Sequence, residues 1–65
     1  MVDRIKSLAS QKNLSIRQVE VACGIGTRTI YKWDKTKPSA SNLKKVADFL
    51  GTTMEFLMEV EKNDN

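Results

Sequence analysis

The side chains best suited to act on another molecule cluster in one short stretch of this 65-residue sequence: Arg28, Tyr31 and Lys32. A guanidinium, a phenol and an ammonium then lie within little more than one helical turn. The guanidinium is a planar fork of donors that meets an anion with two bonds, and the ammonium is a compact positive charge. Such a set is suited to holding a polyanion rather than to breaking bonds. Catalysis lacks its raw materials, because the chain has no histidine and a single cysteine, Cys23, in apolar surroundings. It also has no phosphate-binding glycine loop and no paired carboxylates on a shared face. No catalytic residue, metal site, cofactor or small-molecule substrate is therefore expected. One cysteine without histidine builds neither an internal disulfide nor a Cys/His zinc site.

Charge is distributed to match. Residues 1–45 carry ten basic and three acidic side chains, whereas residues 46–65 carry one basic and five acidic. A basic front and an acidic back would steer one end toward a polyanion and keep the other away. A solvated surface of uneven charge is the plainer reading of the same numbers. No apolar run is long enough for a membrane span or signal peptide, and the lone thiol suits a reducing compartment, so the expected location is the cytoplasm.

The elements that must position Arg28 and its neighbours are helices. Val2, Ile5, Leu8 and Ala9 fall at helical spacing, with Asp3 suited to the dipole of a first helix that ends near Asn13. Ser15 is placed to cap a second helix from Ile16 to about Cys23, with Gln18 at the third position of a capping box. Gly24 stands where the chain must reverse, and Ile25 is expected to plug the turn. Gly26 or Thr27 opens a third helix with Ile30 and Trp33 inward and Arg28, Tyr31 and Lys32 outward. After the polar loop Lys35-Thr36-Lys37-Pro38, Ser39 caps a fourth helix with Leu43, Val46, Ala47 and Leu50 as its apolar stripe, and Gly51 ends it. Thr53 caps a fifth, through Met54, Phe56, Leu57 and Val60, before a polar end frays. At this length a single core must hold the fold by helix packing alone.

Two short helices joined by a glycine turn, the second with basic side chains opposite its apolar contacts, form the outline of a helix-turn-helix over residues 16–34. The first helix of such a pair braces the second so that it can lie in the major groove, where each base pair shows a distinct pattern of donors and acceptors. Over nearly its whole length the chain resembles the Cro/cI-type (XRE) helix-turn-helix family. The residues that carry the likeness are Leu14-Ser15, Val19, Gly24-Ile25, Thr29-Ile30, Trp33-Asp34, Pro38-Ser39, Leu43, Val46-Ala47, Leu50-Gly51 and Phe56-Leu57. The stretches Ser15 to Glu20 and Lys32 to Lys35 look most like repressors of temperate phages and mobile elements in low-GC Gram-positive bacteria.

The resemblance implies an all-α, five-helix, lambda-repressor-like DNA-binding domain over residues 1–61, followed by a polar tail, 62–65. It implies base contacts from Thr27, Arg28 and Lys32, with Tyr31 at the edge. Arg28 is placed to grip guanine O6 and N7, a contact that discriminates by roughly 1–3 kcal/mol. Phosphate contacts are implied for Ser15, Arg17 and Gln18 at the start of the second helix, and for Lys35, Lys37, Ser41 and Asn42 in the loop and the fourth helix. The partner implied is a pseudopalindromic double-stranded operator, bound by a weak homodimer formed through the fifth-helix region, with repression as the outcome. A protein-interaction module or antitoxin would share the fold.

Three positions depart from the family pattern. Glu20 replaces a small residue where the two helices approach, so its carboxylate is expected to reach the surface or to find Arg17 or Arg28. Gly26 stands in for the usual hydroxyl cap. The Trp33–Pro38 loop is shorter than in many relatives. Elsewhere the readings are plain: Trp33 belongs to the core, Cys23 is a buried small hydrophobe, and Lys44 and Lys45 lie on a solvated face. Met54, Phe56, Met58 and Val60 pack the fifth helix on the core, and any left exposed would form the dimer surface.

Overall fold

The structure, a computed structural model, describes residues 1–59. Four α-helices are present among them: α1 (Val2–Gln11), α2 (Ile16–Cys23), α3 (Ala40–Leu50) and α4 (Met54–Met58), with a 3-10 segment (Ile30–Asp34) between α2 and α3. The all-α class is as expected. The third element of the five-helix plan is the one that differs: no α-helix begins at Gly26 or Thr27, and residues 27–29 form a turn that feeds the shorter 3-10 segment. Arg28 has φ +66 there, a left-handed conformation that a right-handed helix cannot continue through. Val60 and the 62–65 tail lie outside the described residues.

Local chemistry explains where the helices start and stop. Ser15 Oγ accepts from the Gln18 amide at 3.1 Å while Gln18 Oε1 accepts from the Ser15 amide at 2.8 Å, a complete capping box. Ser39 Oγ and Thr53 Oγ1 cap α3 and α4 through the amides of Asn42 and Phe56. Gly24 (φ +71) and Gly51 (φ +72) end α2 and α3 in the left-handed region. At Gly24 the amides of Gly24 and Ile25 return to the carbonyls of Val21 and Glu20, the paired bonds of a Schellman turn. α1 stops at Gln11, two residues earlier than expected, because Asn13 takes a left-handed turn at φ +59 and the Leu14 amide bonds back to Ala9.

The core collects Val2, Ile5 and Ala9 from α1, Ile16 and Val19 from α2, Ile30 and Trp33 from the 3-10 segment, Leu43, Val46, Ala47 and Leu50 from α3, and Leu57 from α4. Leu8, Leu14, Cys23, Ile25 and Met54 pack around it half-buried. The apolar stripes read from the sequence are thus the buried ones, with one correction. Of the fifth-helix set, Leu57 is fully buried and Met54 partly, but Phe56 and Met58 remain 44 % and 42 % exposed. A helix of five residues has little more than one turn to bury, so it seats one side chain fully and leaves its neighbours outside.

Long-range polar contacts tie the ends of the elements together. Asp34, closing the 3-10 segment, accepts from the Val2 amide at 3.3 Å and from the Met1 ammonium at 3.2 Å, so it caps α1 from across the fold. The Met1 ammonium also donates to Glu59 at 2.8 Å. Arg4 lies over the Phe56 ring, 4.4 Å from its centroid, and donates to the Phe56 carbonyl at 2.9 Å, which fastens α4 to α1.

Candidate nucleic-acid interface

The residues expected to contact bases sit on a turn braced from below and from both sides. Thr27, Arg28, Tyr31 and Lys32 are all exposed, while Ile30 and Trp33 point into the core, as their spacing requires. Thr27 and Arg28 therefore precede the helical segment instead of opening it. Lys6 of α1 stands 5.4 Å from the centroid of the Tyr31 ring, which places Tyr31 toward the α1 edge of the surface.

Arg17 and Thr27 are brought together: the Arg17 guanidinium donates to Thr27 Oγ1 at 2.8 Å. The start of α2 and the turn that begins at Thr27 are thereby joined through an exposed pair. Ser15 and Gln18 are also exposed; their capping bonds leave the Ser15 hydroxyl proton and the Gln18 amino group for an outside acceptor. On the opposite flank an open depression of about 250 Å³ is lined by Thr29, Lys32, Trp33, Thr36, Lys37, Pro38, Ser39 and Asn42. It joins the end of the 3-10 segment to the capped N-terminus of α3, where the helix dipole is positive. Lys37 and Asn42 of the expected phosphate set belong to it, together with Lys32. Lys35 and Ser41 are exposed but do not line it. Thr29 and Thr36 do, although sequence reasoning gave them no contact role; the sequence held only the hydroxyl of Thr36 between Lys35 and Lys37 and that of Thr29 next to Arg28 as a clue.

Glu20 behaves differently from the expectation. It neither reaches the surface nor meets a guanidinium: it is 2 % exposed, and its two oxygens accept the backbone amides of Arg28 and Ile30, each at 3.1 Å. Carboxylate oxygens accept only, so two converging amides satisfy the pair where a cationic partner would otherwise be needed. Among the described residues no buried side-chain nitrogen or oxygen lacks a partner.

Cys23 is half-buried, its Sγ 3.7 Å from the Lys45 carbonyl, and burial pushes its thiol up against the smaller opposing influence of Lys45. It is thus less enclosed than expected, but the thiolate is disfavoured. Among the described residues no group of three or more Cys, Asp or Glu is placed to hold a metal ion, and no helix is long and apolar enough to cross a membrane. Lys44 pairs with Asp48 at 3.4 Å on the exposed face of α3.

A braced turn, an exposed basic segment and two capped helix N-termini flanking it define a helix-turn-helix protein. A helix-turn-helix family model matches residues 5–57, and the chain belongs to that Cro/C1-type (XRE) family, whose domains bind DNA in transcription regulation and are not enzymes. No curated protein and no solved structure matches the chain.

Proposed function

We propose that the chain is a transcriptional repressor that reads a pseudopalindromic operator. Thr27, Arg28 and Lys32 contact bases in the major groove, with Tyr31 at the edge, and Ser15, Arg17, Gln18, Lys35, Lys37, Ser41 and Asn42 hold phosphates. One observation carries the reading: the segment from Thr27 to Lys32, with Thr27, Arg28, Tyr31 and Lys32 exposed, is bracketed by the capped N-termini of α2 and α3, through the Arg17–Thr27 bond on one side and the Lys32, Lys37 and Asn42 depression on the other. Phosphates seated at both flanks would fix the segment over the bases between them. Binding as a weak homodimer through α4, where Phe56 and Met58 are exposed, sets half-sites about 10 bp apart. Occupying a promoter excludes polymerase, and such a protein works in the cytoplasm. A protein-interaction module or an antitoxin with the same fold is the second reading, favoured by the same exposed α4 side chains; the interaction module predicts weak, sequence-blind DNA binding.

The test is selection from random duplexes with the wild type and Arg28→Ala, followed by salt titration of the selected sites. An inverted repeat should emerge. Its affinity should fall with salt at a slope of about −0.9 per phosphate neutralised, and Arg28→Ala should relax one position in each half-site. Absence of any enriched sequence, with Arg28→Ala unchanged, would transfer the function to a protein partner.

A further inference from the structure

We propose that Glu20 is the positioning residue of the reading turn: a buried carboxylate that holds the backbone of Arg28 and Ile30 and so sets the direction in which Thr27 and Arg28 emerge. The inference rests on the DNA-reading function proposed above. Its basis is that one residue holds both ends of the turn. The Glu20 backbone carbonyl accepts the Ile25 amide at 3.0 Å, closing the end of α2, and its side chain accepts the Arg28 and Ile30 amides at 3.1 Å each. Between those two, the Thr29 amide bonds to the Gly26 carbonyl at 3.2 Å. Every amide from Arg28 to Ile30 is therefore engaged, and two of the three depend on a residue eight or ten positions away.

The chemistry fits a carboxylate and little else. A hydroxyl cap at position 26 would accept one amide, and Gly26 offers none. A carboxylate presents two acceptor oxygens and no donor, which matches two N–H groups converging from one side. Glutamine has the same shape but would turn an amino group toward one of those amides, donor against donor. Aspartate is one methylene too short to span the same gap from α2. Arg28 gives the arrangement its purpose, since a residue with a Cβ at φ +66 occupies a disfavoured region and stays there only when its surroundings impose it. The bond from the Arg28 amide to Glu20 is such a constraint, and it lies one bond from the Cα that carries the reading side chain.

The experiment uses the full chain, as wild type and Glu20→Gln, with two measurements on each. The first is amide hydrogen exchange by NMR. In the wild type the Arg28 and Ile30 amides should be protected although no backbone carbonyl accepts them, and Glu20→Gln should lower that protection about 10-fold or more relative to the α3 amides. The second is duplex selection with salt titration. In the wild type, discrimination at the Arg28-dependent position should be on the order of 10-fold or more. In Glu20→Gln it should flatten to about 3-fold or less, with the salt slope unchanged within about one phosphate. Unprotected Arg28 and Ile30 amides in the wild type overturn the proposal, whether or not the variant folds. So does a Glu20→Gln protein that binds more weakly but keeps the wild-type base preference, since that is the mark of a merely structural role. If the wild type itself enriches no sequence, the DNA-reading function fails and the positioning role falls with it, while amide protection still reports the clamp.

Discussion

Replacing Arg28 by glycine and by alanine should separate its backbone from its side chain, with a sign that depends on the conformation at this position. Both substitutions remove the guanidinium, so both should lose the same base preference. They differ in the backbone. At φ +66 an alanine keeps its Cβ in the left-handed region, at a cost of about 1–2 kcal/mol that glycine avoids. Glycine gives back about 0.5–1 kcal/mol through the greater freedom of its unfolded chain. Arg28→Gly should therefore be more stable than Arg28→Ala by about 0.5–1 kcal/mol, or roughly 2–8 °C in Tm for a domain of this size. If residue 28 instead lay in the first turn of an α-helix, as the sequence pattern alone suggests, glycine would be the worse residue by about 0.5–1 kcal/mol and the order would invert. Thermal unfolding of the two variants by circular dichroism in one buffer decides the matter. A glycine variant no more stable than the alanine variant refutes the left-handed turn, and with it the reason for a constraint from Glu20.

Two further outcomes follow from other parts of the fold. Gly51 ends α3 at φ +72, where an added Cβ would meet nothing within 4 Å, so Gly51→Ala should lose about 1 kcal/mol for backbone reasons alone; chemical denaturation that finds no loss would count against the left-handed cap. The Met1 ammonium is raised above its ordinary 8.0, chiefly by its bond to Glu59 and against some desolvation, with Asp34 adding to the rise. Asp34 is lowered from 3.8 by the Val2 amide and then the ammonium, and Glu59 is lowered from 4.5 by the ammonium. The raised amine contributes stability that is complete below pH 8.0 and is lost as pH rises through its folded value. The lowered carboxylates contribute above their ordinary values, and that contribution is lost as pH falls through the folded ones. Urea midpoints should therefore be flat from about pH 5 to 8 and decline on both sides. Acetylating the N-terminus should reduce the alkaline decline to the part that Cys23 contributes, since its raised thiol also loses stability once pH passes its ordinary 9.0; an unchanged decline would show that the amine cluster does not cause it.

The parts of the fold legible in the sequence are those whose causes lie within a few residues of each other. Ser15 with Gln18, Ser39, Thr53, Gly24 and Gly51 each act on amides or carbonyls in their own turn, and each is found where the pattern places it. The buried stripes follow from helical period alone. The segment from Thr27 to Asp34 departs from its pattern because its backbone is held from a distance. Asp34 caps α1 across more than thirty residues, and Glu20 reaches Arg28 and Ile30 across a turn, so a rule that looks three positions ahead finds neither. The sequence nonetheless holds the trace of the second contact as two irregularities. Gly26 lacks the hydroxyl that should cap the segment, and Glu20 puts a charge where a small side chain should let the helices approach. Taken singly, each looks like a small loss. Together they account for each other: the carboxylate supplies from below the acceptors that position 26 does not, and the amides left open at 28 and 30 supply the donors that allow a carboxylate to be buried. An unpaired buried charge and an uncapped segment in the same motif are therefore one signal, and in a helix-turn-helix sequence they point to a backbone held by the first helix rather than by its own cap.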